Sequence, residues 1–201
     1  MFEKTNIAVV GATGAVGEVM LEILAARGVP AKNIFPLASE RSLGKQVSYG
    51  NNNIDVDDLA TFDFSKVQIG LFSAGASVSE VYAIKAAAAG CVVIDNTSHF
   101  RTRDDIPLVV SEVNPEKISE YVNTGIIANP NCSTMQMLVA LKPIHDAVGI
   151  ARINVATYQA VSGAGKKAIE DLVHQTSALL NGRPVKLTGA NKQIAFNAIP
   201  H

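Results

Sequence analysis

Tryptophan is absent from this 201-residue sequence, and cysteine occurs only twice. Two cysteines exclude a disulfide framework at this length, and no Cys-x-x-Cys pair is present for zinc or redox work. An excess of one charge is also lacking: 17 Lys and Arg face 18 Asp and Glu, for a formal net charge of −1. That balance excludes the broad basic footprint of a nucleic-acid binder and a polybasic membrane anchor. No run of residues has the character of a membrane span. The longest uncharged stretch, 121–141, is interrupted by Asn123, Asn129, Pro130, Asn131 and Gln136. Residues 1–6 lack the apolar region of a secretory signal, and Ile7–Val10 is too short to supply one. The expectation is a cytoplasmic protein with reduced thiols.

What is present is apolar material in ordered blocks. Hydrophobic residues make up 48% of the chain and charged residues 17%, against a usual charged share of about 25%. Disorder is excluded on that composition. The first half alternates strand and helix signals. A strand at residues 6–10 stops at Gly11, and Val16, Val19, Met20, Ile23 and Leu24 then recur at helical spacing. Residues 33–38 read as a second strand, and 46–56 as weaker strands around a turn at 50–53. Residues 67–73 and 91–94 read as strands on either side of a helix over 78–89. A short strand at 108–110, a short helix at 115–121, a strand at 126–128 and an apolar helix over 133–148 follow.

Strands separated by helices predict βαβ units and a Rossmann-type, doubly wound parallel sheet, an α/β fold. After Gly149 the pattern changes. Residues 153–161 alternate, which predicts one long strand of a half-exposed sheet, and a helix follows over 166–180. The domains are accordingly placed at 1–131, a dinucleotide-binding domain, and 132–201, the start of a second α+β domain.

Gly11, Gly14 and Gly17 lie between the first strand and the first helix. Glycines there permit a tight turn and let backbone amides approach a diphosphate at the positive end of the helix. About 20 residues further on, the end of the second strand reads the adenosine ribose in such folds. Here that loop holds Glu40, which suits ribose hydroxyls and NAD, beside Arg41 and Ser42, which suit a 2′-phosphate. A guanidinium flanked by two serine hydroxyls is the better anion cradle, which favours NADP.

Cys132 stands between a strand and a long helix, among Asn, Ser and Thr. At a helix N-terminus a thiolate is favoured by the dipole, and nearby amides stabilise an oxyanion. Cys91, inside an apolar run, fits an inert buried thiol. No histidine stands out as a base: His145 and His174 fall on helix patterns, His99 follows a strand, and His201 is the last residue. Arg101 and Arg103 suit an anionic group.

These residues together resemble aspartate-semialdehyde dehydrogenases. The matching pieces are GATGAVG at 11–17, ASERSLGK at 38–45, DNTSHFR at 95–101, EVNPE at 112–116, NPNCST at 129–134 and TYQAVSGAG at 157–165. The resemblance implies reversible, NADPH-dependent reduction of L-aspartyl 4-phosphate to aspartate 4-semialdehyde with release of phosphate. This step leads toward lysine and diaminopimelate, threonine, methionine and isoleucine. By the same resemblance, Cys132 is the nucleophile that forms an acyl-thioester, Gln159 orients the acyl group, and Arg101 and Asn131 hold phosphate. Gly11, Thr13, Gly14, Ala15, Val16, Arg41, Ser42, Ser162 and Gly163 contact NADP, and the full-length form is a homodimer. Members of the family are longer and carry their histidine base and a carboxylate-binding arginine beyond the equivalent of residue 201. The chain is therefore expected to be a fragment that exposes an apolar sheet face and lacks turnover by itself. Two alternatives stand beside this reading: an inactive NADP-binding fragment, and a related acyl-phosphate reductase such as the acetylglutamyl-phosphate enzyme.

Overall fold

A computed structural model describes residues 3–185, 187 and 192–200. The chain divides into two compact units, Met1–Val155 and Ala156–His201.

The first unit is built on a parallel sheet. Its elements in chain order are β1 (Ile7–Val10), α1 (Ala15–Ala26), β2 (Ile34–Ala38), β3 (Gln46–Tyr49), β4 (Asn52–Asp55), β5 (Asp57–Asp58), β6 (Ile69–Phe72), α2 (Ala76–Ala88), β7 (Val92–Asp95), β8 (Ile126–Ala128) and α3 (Cys132–Val148). Six strands form one sheet in the order β5-β2-β1-β6-β7-β8, and β3 pairs with β4 as a separate hairpin. Every pairing in the large sheet is parallel, with Ile7 opposite both Ile34 and Ile69.

Strand β1 shows why the sheet has helices on both faces. All four of its residues are buried, so its apolar run is continuous rather than alternating, as a doubly covered strand requires. Ala8 and Val10 join a core with Phe72, Ala83, Ala86 and Val93. Ile7 and Val9 join the opposite core with Leu21, Val29 and Ile34. Helix α2 thus covers one face and α1 the other. The order of connections reverses between β1 and β6, so the crevice for a ligand lies at the carboxyl ends of those two strands.

The expected elements appear with end shifts of a few residues, apart from three. The segment expected as a strand at 108–110 makes only an isolated bridge, Leu108 to Ala128. The expected helix at 115–121 is a run of tighter 3₁₀ turns over Pro115–Asn123.

The third correction is the long strand expected at 153–161. Residues 151–160 belong to no ladder and are exposed, and Val161–Ala164 turns as a short 3₁₀ helix. The alternation is real, but a strand exists only where neighbours complete its hydrogen bonds, and none of the described residues pairs with it. Ile153, Val155 and Tyr158 are left exposed, the last at 94%. Among its described residues the second unit otherwise holds that 3₁₀ turn and α4 (Lys166–Leu180), which starts after Gly165.

Candidate active site

Four loops at the carboxyl edge of the sheet, after β1, β2, β7 and β8, carry the residues singled out in the first unit. The first follows β1. Gly11 has φ +90°, and a Cβ there would meet the Ala74 amide nitrogen at 2.9 Å. The glycine is required twice over, by a left-handed backbone and by the close approach of the turn that follows β6. Gly11 and Ala12 both donate to the Leu37 carbonyl, and Gly14 donates back to the Gly11 carbonyl at 2.9 Å. Gly14 is the N-cap of α1 and brings no capping side chain. The start of α1, at Ala15 and Val16, therefore presents its positive end without a side-chain acceptor, the arrangement that receives a diphosphate.

The second loop follows β2, where Glu40–Ser42 forms a 3₁₀ turn. Ser42 is buried, and its Oγ lies 3.5 Å from Thr13 Oγ1. That hydroxyl pair joins the second loop to the glycine turn, and Arg41 lies exposed beside it. The glycine turn and the second loop thus adjoin one another through Thr13 and Ser42, with Arg41 next in the chain.

The third group lies after β7 and β8. Arg101 Nε donates to the Asn129 carbonyl at 2.8 Å, and its Nη2 donates to the Asn96 carbonyl at 2.9 Å. It takes part in none of the ion pairs found among the described residues. A half-buried guanidinium held by neutral carbonyls keeps its positive charge available for an anion. Arg103, by contrast, is committed to Asp105, which raises the guanidinium pKa through a side-chain hydrogen bond.

Asn131 caps α3. Its Oδ1 accepts from the Ser133 amide at 3.0 Å, the Thr134 amide at 3.3 Å and the Ser133 hydroxyl at 2.6 Å. Asn131 thus already takes two of the first α3 amides. Among the described residues, neither the Cys132 amide nor the Asn131 Nδ2 group has a hydrogen-bond partner. Cys132 is exposed, whereas Cys91 is buried, and burial pushes the Cys91 thiol up to about 11.

Arg101, Asn131 and Cys132 are thus tied together through the short segment from Asn129 to Cys132. An apolar cleft of about 670 Å³ opens beside Asn129, walled by Val109, Ile118, Ile127, Met135 and Val139. Its lining carries one ionisable side chain, Glu112, so it offers shape rather than chemistry. In the second unit, Gln159, Ser162 and Gly163 are all exposed. His145 Nδ1 accepts from the Ile150 amide at 3.2 Å, His174 is exposed on α4, and His201 lies outside the described residues.

Sequence reasoning gave no role to Asp95, Ser79 and Thr97, which form a buried hydrogen-bonded cluster. The signal was available: an aspartate at a strand end, followed two residues later by Thr, is the pattern of an Asx turn.

A doubly wound sheet with a glycine cradle at its switch point defines a dinucleotide-binding α/β protein. Residues 6–121 match the family model described as semialdehyde dehydrogenase, NAD binding domain, and 141–201 match semialdehyde dehydrogenase, dimerisation domain. The chain belongs to the semialdehyde dehydrogenase family. It is 62% identical over 201 residues to the aspartate-semialdehyde dehydrogenase of Legionella pneumophila, covering 58% of that protein. Among solved structures it resembles aspartate semialdehyde dehydrogenase II of Vibrio cholerae complexed with ASA, at 59% identity and a TM-score of 0.94 over 99% of this chain and 59% of that one. It also resembles the aspartate semialdehyde dehydrogenase of Candida albicans solved with NADP, at 26% identity and a TM-score of 0.60 over 73% of this chain and 48% of that one. The chain therefore spans about three fifths of the length of the Legionella and Vibrio relatives. No helix among the described residues is long and apolar enough to cross a membrane.

Proposed function

We propose that this chain carries the cofactor cradle and the nucleophile of an aspartate-semialdehyde dehydrogenase. The enzyme reduces L-aspartyl 4-phosphate to aspartate 4-semialdehyde with NADPH and releases phosphate. The observation that carries this reading is the tie between Arg101, which has no carboxylate partner among the described residues, and the Asn129–Cys132 segment, which leads into an exposed thiol at a helix N-terminus.

The chemistry follows from these positions. The Cys132 sulfur attacks the acyl-phosphate carbonyl carbon, a C–S bond forms, and the C–O bond to phosphate breaks. The Cys132 amide is the donor for the oxygen that gains charge, and Asn131 Nδ2 donates to the phosphate. Arg101 accepts the departing phosphate by charge-assisted hydrogen bonds. NADPH, when bound, supplies the hydride that turns the thioester into the aldehyde. Cys132 is released as the thiolate. By the family resemblance, Gln159 is assigned to orienting the acyl group, and Ser162 and Gly163 to contacting NADP. Thr13, Ala15, Val16, Arg41 and Ser42 hold its diphosphate and 2′-phosphate.

The domain division at 131/132 belongs to the same reading. It falls between the two family matches, which end at 121 and begin at 141. A homodimer in the cytoplasm is the expected setting, supported by the dimerisation-domain match.

The test is phosphate-dependent reduction of NADP by aspartate semialdehyde, with Cys132→Ser as the control that removes it. NADP binding without turnover supports a cofactor-binding piece that needs further residues. Turnover with a different amino-acid semialdehyde, and none with this one, replaces the substrate assignment.

A further inference from the structure

The C-terminal end of β7 carries a buried carboxylate that the chemistry above does not use. Asp95 is fully buried. Its Oδ1 accepts from Ser79 Oγ at 2.8 Å and from the Thr97 amide at 3.1 Å, and its Oδ2 accepts from Thr97 Oγ1 at 2.8 Å. A buried carboxylate is tolerated only where donors replace its water, and three donors from α2 and the following loop do so here.

Both carbonyls that hold Arg101 hang on this residue. Asn96 is next in the chain, and the Asx turn closed by Thr97 fixes where its carbonyl points. Asn129 is reached from the other side, because its amide donates to the Asp95 carbonyl at 2.8 Å. One residue therefore sets the acceptor of Arg101 Nη2 through its side chain and the acceptor of Nε through its main chain. Thr97 Oγ1 passes the restraint on to the His99 amide at 3.3 Å, which closes the loop leading to Arg101.

We propose that Asp95 is the positioning residue of the Arg101 anion site: its carboxylate, locked by Ser79 and Thr97, holds the loop that aims the guanidinium at phosphate. The proposal rests on the anion-binding role given to Arg101 above. Two of the guanidinium nitrogens are oriented by the protein, which leaves Nη1 and the outer side of Nη2 for the ligand. Preorganisation of this kind lowers the cost of binding because the donor is already in place.

The test uses the 201-residue chain, nitrogen-labelled so that each arginine Nε–H is followed by NMR, with inorganic phosphate as the probe. In the wild type the Arg101 Nε–H exchanges slowly with solvent and shifts as phosphate is added. Asp95→Ala is expected to speed that exchange and weaken phosphate binding by roughly tenfold or more. The Arg103 Nε–H, bonded to Asp105, stays as it was. A general loss of stability would loosen both arginines alike. Asp95→Asn keeps the size and can donate to the Thr97 hydroxyl, so it restores most of the slow exchange. If Asp95→Ala does not fold, Thr97→Val takes its place and should loosen Arg101 selectively. A folded Asp95→Ala, or in its place Thr97→Val, with wild-type Arg101 exchange overturns the proposal. Phosphate that leaves the wild-type Arg101 signal unmoved overturns the anion role of Arg101 instead, while the exchange rates still decide the part played by Asp95.

Discussion

Gly17, on the first turn of α1, lies against the backbone of the turn it follows: a Cβ at Gly17 would fall 2.8 Å from the Ala12 Cα and closer still to the Gly11 carbonyl oxygen. The third glycine of the motif thus serves packing, whereas the first serves the turn. Gly17→Ala should destabilise the chain by about 1–3 kcal/mol, the usual cost of overpacking a tight contact. Gly163→Ala is the control, because a Cβ there meets nothing. Urea unfolding of the two variants separates them, and equal midpoints would refute the close-packing account.

Cofactor preference should follow Arg41. The side chain is exposed beside Ser42, so its removal disturbs little of the fold. Arg41→Ala is expected to weaken NADP binding by about 1.5–3 kcal/mol, the range of a hydrogen bond to a charged group, and to leave NAD binding nearly unchanged. Titration of both cofactors against both proteins reads this directly. Equal losses would move the assignment to Glu40.

Asn131 has two duties that one substitution can divide. Asn131→Ala removes the cap of α3 and should cost about 0.5–2 kcal/mol of stability. Asn131→Asp keeps the cap through its Oδ1 but replaces the Nδ2 donor with a negative oxygen. It should retain stability yet weaken phosphate binding, because it sets an anion beside the ligand. A stability loss in Asn131→Asp as large as in Asn131→Ala would show that Oδ1 is not the capping atom.

The two thiols should differ in rate and in pH response. Cys132 is exposed, and iodoacetamide at neutral pH should modify it first, as peptide mapping will show. Burial raises the Cys91 thiol from 9.0 to about 11 in the folded state. A raised folded pKa gives stability that is full below the unfolded value and declines as pH climbs from about 9 toward about 11. Unfolding midpoints measured across that window should fall, and Cys91→Ala should flatten the fall.

Much of this fold was readable because each parallel strand is a short apolar run ended by turn residues. Val10 followed by Gly11 is a clear boundary. Strand β5 was not readable. It consists of Asp57 and Asp58, which carry no strand preference, and it exists because Leu37 and Ala38 offer a ladder. The segment at 153–161 failed in the opposite way: its alternation is strong, but pairing is a property of a partner and not of the strand. In the site, Cys132 and the glycine turn were legible from local context. The cap formed by Asn131 was legible in principle, since Asn ahead of a helix is a favoured N-cap. The grip on Arg101 was not, because its two acceptors are backbone carbonyls brought together from residues 96 and 129.

That grip has a consequence for how the site tolerates genetic change. A guanidinium held by carboxylate side chains is lost when either codon mutates. Here the acceptors are peptide oxygens, present whatever side chain stands at positions 96 and 129. Substitutions at those two positions leave the holder in place so long as the chain follows the same path. The points of vulnerability move to the residues that fix that path, and a search for inactivating variants should find them at Asp95 and Thr97 sooner than at Asn96.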